Sequence, residues 1–80
     1  MYCTAACPYC QAADRLLARK GVSDIERVRV DLEPGRRAEM RQKSGRSTVP
    51  QIWIGETHVG GSDELHALDH AGKLDALLAD

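Results

Sequence analysis

The sequence contains no run near the ~18 consecutive apolar residues that a membrane-spanning helix requires, and no basic N-terminal stretch followed by an apolar one. Neither a membrane span nor an export signal is therefore expected. Net charge is almost absent too: eleven basic and twelve acidic side chains leave −1, so nothing in the overall field attracts a phosphate backbone, and no nucleic-acid partner is expected. Cysteines number only three, whereas a secreted disulfide framework carries an even and larger set. These absences point to a soluble protein of a reducing compartment, the cytoplasm. Repeats and low-complexity linkers are missing as well, and 80 residues leave room for one domain, residues 1–80, with one modest core.

What is present is an alternation of strand and helix signals. Met1-Tyr2-Cys3 reads as the end of a short strand, and Thr4-Ala5-Ala6 as a connection to Cys7. Pro8 suits the first turn of a helix, where its missing N–H costs nothing, and Ala12, Ala13, Leu16 and Leu17 recur at helical spacing before Gly21 ends it. From Ile25 to Leu32 the residues alternate, which predicts a strand burying Val28, Val30 and Leu32 on one face. Arg36 to Ser44 is a charged, largely solvated helix closed by Gly45. Gln51-Ile52-Trp53-Ile54 and Thr57-His58-Val59 read as a hairpin around Gly55-Glu56. After Gly60-Gly61, Ser62 is expected to cap a helix with Asp63 and Glu64 in its first turn, and Leu74, Leu77 and Leu78 continue as a short terminal helix. A strand-helix-strand start favours a parallel pair, and the short turn forces an antiparallel one. The expected fold is α/β, a mixed four-stranded sheet flanked by helices in the order βαβαββα.

The chemistry lies in Cys7-Pro8-Tyr9-Cys10. A thiol attacks only as thiolate, and a cysteine just before the first turn of a helix faces its free N–H groups and positive end, where motifs of this type reach pKa values of roughly 3.5 to 7.5. A fall from ~8.5 to ~5 raises the thiolate fraction about 30-fold at pH 7, while a Brønsted slope of ~0.45 lowers nucleophilicity by a comparable factor. The gain that remains is a better leaving group, which suits turnover. Cys10 lies one helical turn on, within reach of Cys7, and is expected to be the more buried and less acidic thiol. Cys3 reads as a buried strand residue or as a third redox thiol.

Other uses of the cysteines fit less well. Structural zinc needs four ligands and there is one C-x-x-C, haem attachment needs His where Gln11 stands, and no Ser and Asp arrangement supports a hydrolase triad. The Cys3-x3-Cys7-x2-Cys10 spacing is similar to the cluster triplet of radical enzymes that use S-adenosylmethionine, but the chain is far too short for their barrel. No metal is expected.

Tyr2, Cys7-Pro8-Tyr9-Cys10, Thr48-Val49-Pro50 and Gly60-Gly61-Ser62-Asp63, in this order along the whole chain, resemble glutaredoxin of the small dithiol class. The resemblance implies a thioredoxin-like fold and a protein that uses glutathione as reductant, acting on disulfide-containing or glutathionylated proteins through catalytic Cys7 and Cys10; nothing in the sequence demands an oligomer, so a monomer is expected. It implies a glutathione site of Tyr9, Arg37, Thr48, Val49, Pro50, Gly61, Ser62 and Asp63. Pro50 matches the family's cis proline, leaving the Val49 backbone to pair with the tripeptide as an added strand does. Ser62 and Asp63 match the segment that receives its γ-glutamyl end, and Arg37 the residue for its glycyl carboxylate. Simple capping by Ser62, a solvated helix face at Arg37 and mere shielding of the helix end by Tyr9 remain alternatives. Two departures stand out. Thr4 occupies the place of a family lysine, which implies weaker glutathione binding and a less acidic Cys7, and fewer strand residues precede Tyr2 than the family carries. The same resemblance also admits a carrier in which two chains share an iron-sulfur cluster through Cys7 and bound glutathione, or an electron donor that ignores glutathione.

Overall fold

The computed structural model describes residues 1–79. It opens with β1 (Tyr2–Cys3), crosses through α1 (Pro8–Arg19) and returns as β2 (Val28–Arg29), parallel to β1 with Tyr2 opposite Val28 and Cys3 opposite Arg29. α1 forms where expected: Pro8 stands in its first turn, and Cys10, Ala13, Leu16 and Leu17 make its buried face. α2 (Arg36–Ser44) follows, buried only at Met40, and Gly45 closes it in the left-handed region at φ 74°, its N–H bonded to the carbonyl of Arg41. β3 (Ile52–Ile54) and β4 (Thr57–Gly60) form the antiparallel hairpin around Gly55-Glu56, with a register shift between Ile52 and Trp53.

Four expectations need correction. The strand predicted over Ile25 to Leu32 shrinks to two residues, because its partner β1 is only two residues long and offers no further ladder. The N–H groups of Leu32 and Glu33 instead turn back to the carbonyl of Arg29, leaving Leu32 66% exposed rather than beside buried Val28 and Val30. The four strands form two two-stranded ladders, joined by one bridge in which Tyr2 and Gln51 exchange both backbone hydrogen bonds, at 2.9 and 3.2 Å. Gly61, not Ser62, is the N-cap of α3 (Ser62–His70), since the helix starts one residue earlier than a Ser62 cap allows. Finally, the short terminal helix expected at Leu74, Leu77 and Leu78 forms as α4 (Leu74–Leu78), and counting it makes the order βαβαββαα rather than βαβαββα.

The larger apolar cluster joins Ala13, Leu16 and Leu17 of α1 to Ile52, Leu65 and Leu74. Each buried leucine or isoleucine contributes about 1.5–3 kcal/mol, so this cluster fixes α1 and α3 on a common base. A smaller one holds Tyr2, Val28, Val30 and Met40, which seats the otherwise solvated α2. The third is the cysteine cluster itself, Cys3, Cys7 and Cys10, packed against Met1 and Val49.

Candidate redox site

Cys7 is the N-cap residue of α1. Its backbone is extended, and its Sγ accepts the N–H of Cys10 at 3.3 Å, taking the place that a Ser or Asp oxygen fills at other helix starts. A negative charge on that sulfur meets a helix N-terminus aimed at it. The chain contributes this locally, through Pro8 at the first helical position and Cys10 one turn on.

Cys7 is 8% and Cys10 3% exposed, so the second sulfur lies deeper, as expected. Burial, and then the hydrogen bond with Cys7, pushes the Cys10 thiol up to about 12. Burial also raises Cys3. All three cysteines are free thiols.

Opposite the sulfur lies the loop between α2 and β3. The Cys7 thiol donates to the carbonyl of Val49 at 3.8 Å, and the Val49-Pro50 peptide is cis. Among the described residues the Val49 N–H has no partner. The loop in turn abuts the start of α3: a Cβ on Gly61 would stand 3.3 Å from the carbonyl oxygen of Pro50, a tight contact that would push the two backbones apart by a few tenths of an ångström. Glu64 accepts the Gly61 N–H at 3.4 Å and forms an ion pair with Arg46, tying the loop to α3 from the solvent side. Arg46 holds the Glu64 carboxyl below its ordinary value.

The sequence-selected residues therefore converge in part. Cys7, Val49, Pro50, Gly61 and the buried Ser62 form one continuous patch, with exposed Thr48 beside it. Arg37 reaches the same loop, donating to the carbonyl of Ser47 at 3.3 Å. Tyr9 projects 63% exposed from the first turn of α1, and Asp63 is exposed in the first turn of α3. Ser62 Oγ makes no cap bond but lies 3.3 Å from His66 Nδ1, which also contacts the Ser62 carbonyl at 2.7 Å. A cavity of about 740 Å³ lined by residues such as Leu17, Ile25, Trp53 and Leu78 touches none of the cysteines.

Residue-type reasoning missed three groups. Asp31 accepts the Ala5 N–H at 3.4 Å and so holds the connection ahead of Cys7, while the Arg29 guanidinium draws its carboxyl down to about 2. Glu64 was visible as the third residue after a helix start, had that start been assigned to Gly61. Gln51, 0% exposed, bonds Thr48 and His58, and its signal was a lone amide heading an apolar strand.

A family model described as Glutaredoxin matches residues 1–59. The chain is 62% identical to a glutaredoxin of Pseudomonas aeruginosa over 79 residues, which is 99% of this chain and 93% of the relative. The solution structure of glutaredoxin from Brucella melitensis superimposes with a TM-score of 0.83 at 52% identity, covering 96% of this chain and 83% of that one. A crystal structure of a buckwheat glutaredoxin-glutathione complex gives a TM-score of 0.90 at 28% identity, with coverage of 98% and 73%. With matches of this extent, and two free thiols at a helix start, the chain belongs to the glutaredoxin family and is a thiol-disulfide oxidoreductase of thioredoxin-like fold.

Proposed function

We propose that the protein reduces protein disulfides and glutathione mixed disulfides with glutathione as the electron source, Cys7 being the attacking and Cys10 the resolving sulfur. The observation that carries this reading is the facing of Cys7 Sγ and the Val49 backbone, with Gly61, the N-cap of α3, close against Pro50. An extended tripeptide thiol fits such a patch. The free Val49 N–H offers a strand-like bond, the start of α3 a seat for a carboxylate, and Arg37 and Asp63 charges for its two ends. Tyr9 and Thr48 flank it.

The Cys7 thiolate attacks one sulfur of a disulfide, forming a mixed disulfide and expelling the other half as a thiolate. Cys10 then loses its proton and attacks the Cys7 sulfur, releasing the second half as a thiol and closing a Cys7-Cys10 disulfide. The high value of Cys10 keeps it protonated until that step, so Cys7 alone initiates attack. Two glutathione thiols supply the two electrons that restore both cysteines and leave as glutathione disulfide. With a glutathione mixed disulfide as substrate, Cys7 suffices, because a second glutathione resolves it. A reducing compartment, the cytoplasm, and a monomeric single domain are part of this reading. Among the described residues no helix is long and apolar enough to cross a membrane.

The test is turnover of a glutathione mixed disulfide of a small thiol, coupled to glutathione reductase, for wild type, Cys7→Ser and Cys10→Ser. Loss of turnover in Cys7→Ser and retention in Cys10→Ser are expected. A wild-type protein reduced by thioredoxin reductase but not by glutathione, or one that emerges brown from anaerobic purification, overturns the assignment.

A further inference from the structure

The loop of residues 46–50 carries Val49 and Pro50 to Cys7, yet among the described residues no backbone-backbone hydrogen bond reaches it. Its ties are made by side chains. Arg37 holds the Ser47 carbonyl and Ser44 the backbone of Arg46, and both of these contacts are exposed. The better-shielded tie comes from Gln51, whose Nε2 donates to the Thr48 carbonyl at 3.0 Å and lies 3.4 Å from Thr48 Oγ1.

Gln51 is itself immobilised. Its backbone is fastened to Tyr2 on both sides of the bridge, and its side chain is wholly buried. A carbonyl oxygen only accepts, so Nε2 must point to Thr48 and Oε1 away from it. Oε1 meets His58 Nε2 at 2.9 Å, which requires that nitrogen to carry the proton. The imidazole stacks on Trp53, the residue opposite it in the hairpin, with ring centroids 4.5 Å apart and planes inclined by 28°. Trp53 rests edge-on against buried Tyr2 at 5.5 Å. The orientation of one buried amide is thus set by β4 and passed to the loop facing the redox sulfur.

We propose that Gln51 and His58 are positioning residues for glutathione: His58 fixes the Gln51 amide, and the amide fixes the Thr48 carbonyl and with it the Val49 backbone. Neither side chain touches the reacting atoms. They act by pre-organising the strand-like edge that the tripeptide pairs with, so their loss falls on binding more than on chemistry. The inference rests on the glutathione site proposed above.

His58→Phe keeps a ring on Trp53 and removes the Nε2–H, and His58→Gln returns an N–H after the same number of bonds. Gln51→Glu keeps an acceptor for His58 but sets an oxygen against the Thr48 carbonyl. In His58→Phe the KM for glutathione is expected to rise about three- to tenfold, the factor one neutral hydrogen bond supplies, with kcat changed less than about twofold. Backbone order parameters of Thr48 and Val49 in the ligand-free protein should fall, His58→Gln should restore both readouts, and Gln51→Glu should exceed His58→Phe in each. The inference is overturned if folded His58→Phe keeps wild-type order parameters at Thr48 and Val49, if its KM rises without that change, or if His58→Gln restores neither. A wild type without saturable dependence on glutathione defeats the functional reading instead. The order parameters still decide whether His58 and Gln51 hold the loop.

Discussion

The sulfur of Cys7 and the carbonyl oxygen of Val49 stand 3.8 Å apart across 42 positions of sequence. That contact joins a helix start capped by a thiol to a loop whose Val49 N–H has no partner among the described residues.

Stability of the reduced protein should fall in alkali. Cys10 is raised from 9.0 to about 12, so the folded chain keeps a proton that the unfolded chain releases. Its stabilising contribution is complete below the unfolded value and is lost as pH rises from there through about 12, with a slope of at most about 1.4 kcal/mol per pH unit for one thiol. Cys3, also raised by burial, acts in the same direction. Denaturant midpoints taken under reductant at about pH 8 and about pH 10.5 should differ in wild type and less so in Cys10→Ser. Equal midpoints in wild type would contradict the buried-thiol description.

Replacing Gly60 by alanine should destabilise the fold by about 1–3 kcal/mol. Its φ of 113° suits glycine alone, and the new Cβ would stand 2.8 Å from Glu64 Oε1. Gly55→Ala, also left-handed at φ 61° but facing open space, should cost less. Thermal unfolding of the two variants checks the ranking.

The Arg46 and Glu64 ion pair crosses the site from the loop to α3, but both side chains are well exposed, 49% and 38%. Solvent screening limits its coupling to about 0.2–1 kcal/mol in a double-mutant cycle of Arg46→Met and Glu64→Gln. Because Arg46 lowers the Glu64 carboxyl, that coupling is present at neutral pH and lost as pH falls through the depressed value. A cycle energy that persists when Glu64 is protonated would show that the pair is not what couples the two elements.

Thr4→Lys should lower the KM for glutathione by about two- to fivefold, the range of an exposed charge contact, and the gain should fade at high salt. Thr4 is half-buried on the connection ahead of Cys7. An unaltered KM at low salt would show that a charge at this position does not reach the tripeptide.

The sequence by itself determined the parts whose physics is local. Pro8 after Cys7 and a second cysteine one turn later specify a capped helix with two neighbouring thiols. Gly55-Glu56 between apolar runs specifies a hairpin, and the Gly45 stop ends a solvated helix. These depend on backbone preferences and periodicities spanning a few residues. Tertiary structure decided the rest. β2 stops after two residues because a distant partner stops, and Leu32 is left in water despite its place in the alternation. Gly61 rather than Ser62 caps α3, where the chain meets the Pro50 carbonyl at a separation that leaves a side chain little room. Gln51 looks in sequence like the polar edge of a strand, and it becomes a fully buried hub only when Tyr2, Thr48 and His58 close around it. Such contacts join residues without any pattern between them, and they exist only once the chain has packed. The spacing of the cysteines was therefore legible in advance, and the Thr48-Val49-Pro50 segment with its cis bond through the resemblance, while the contacts that hold that loop were not.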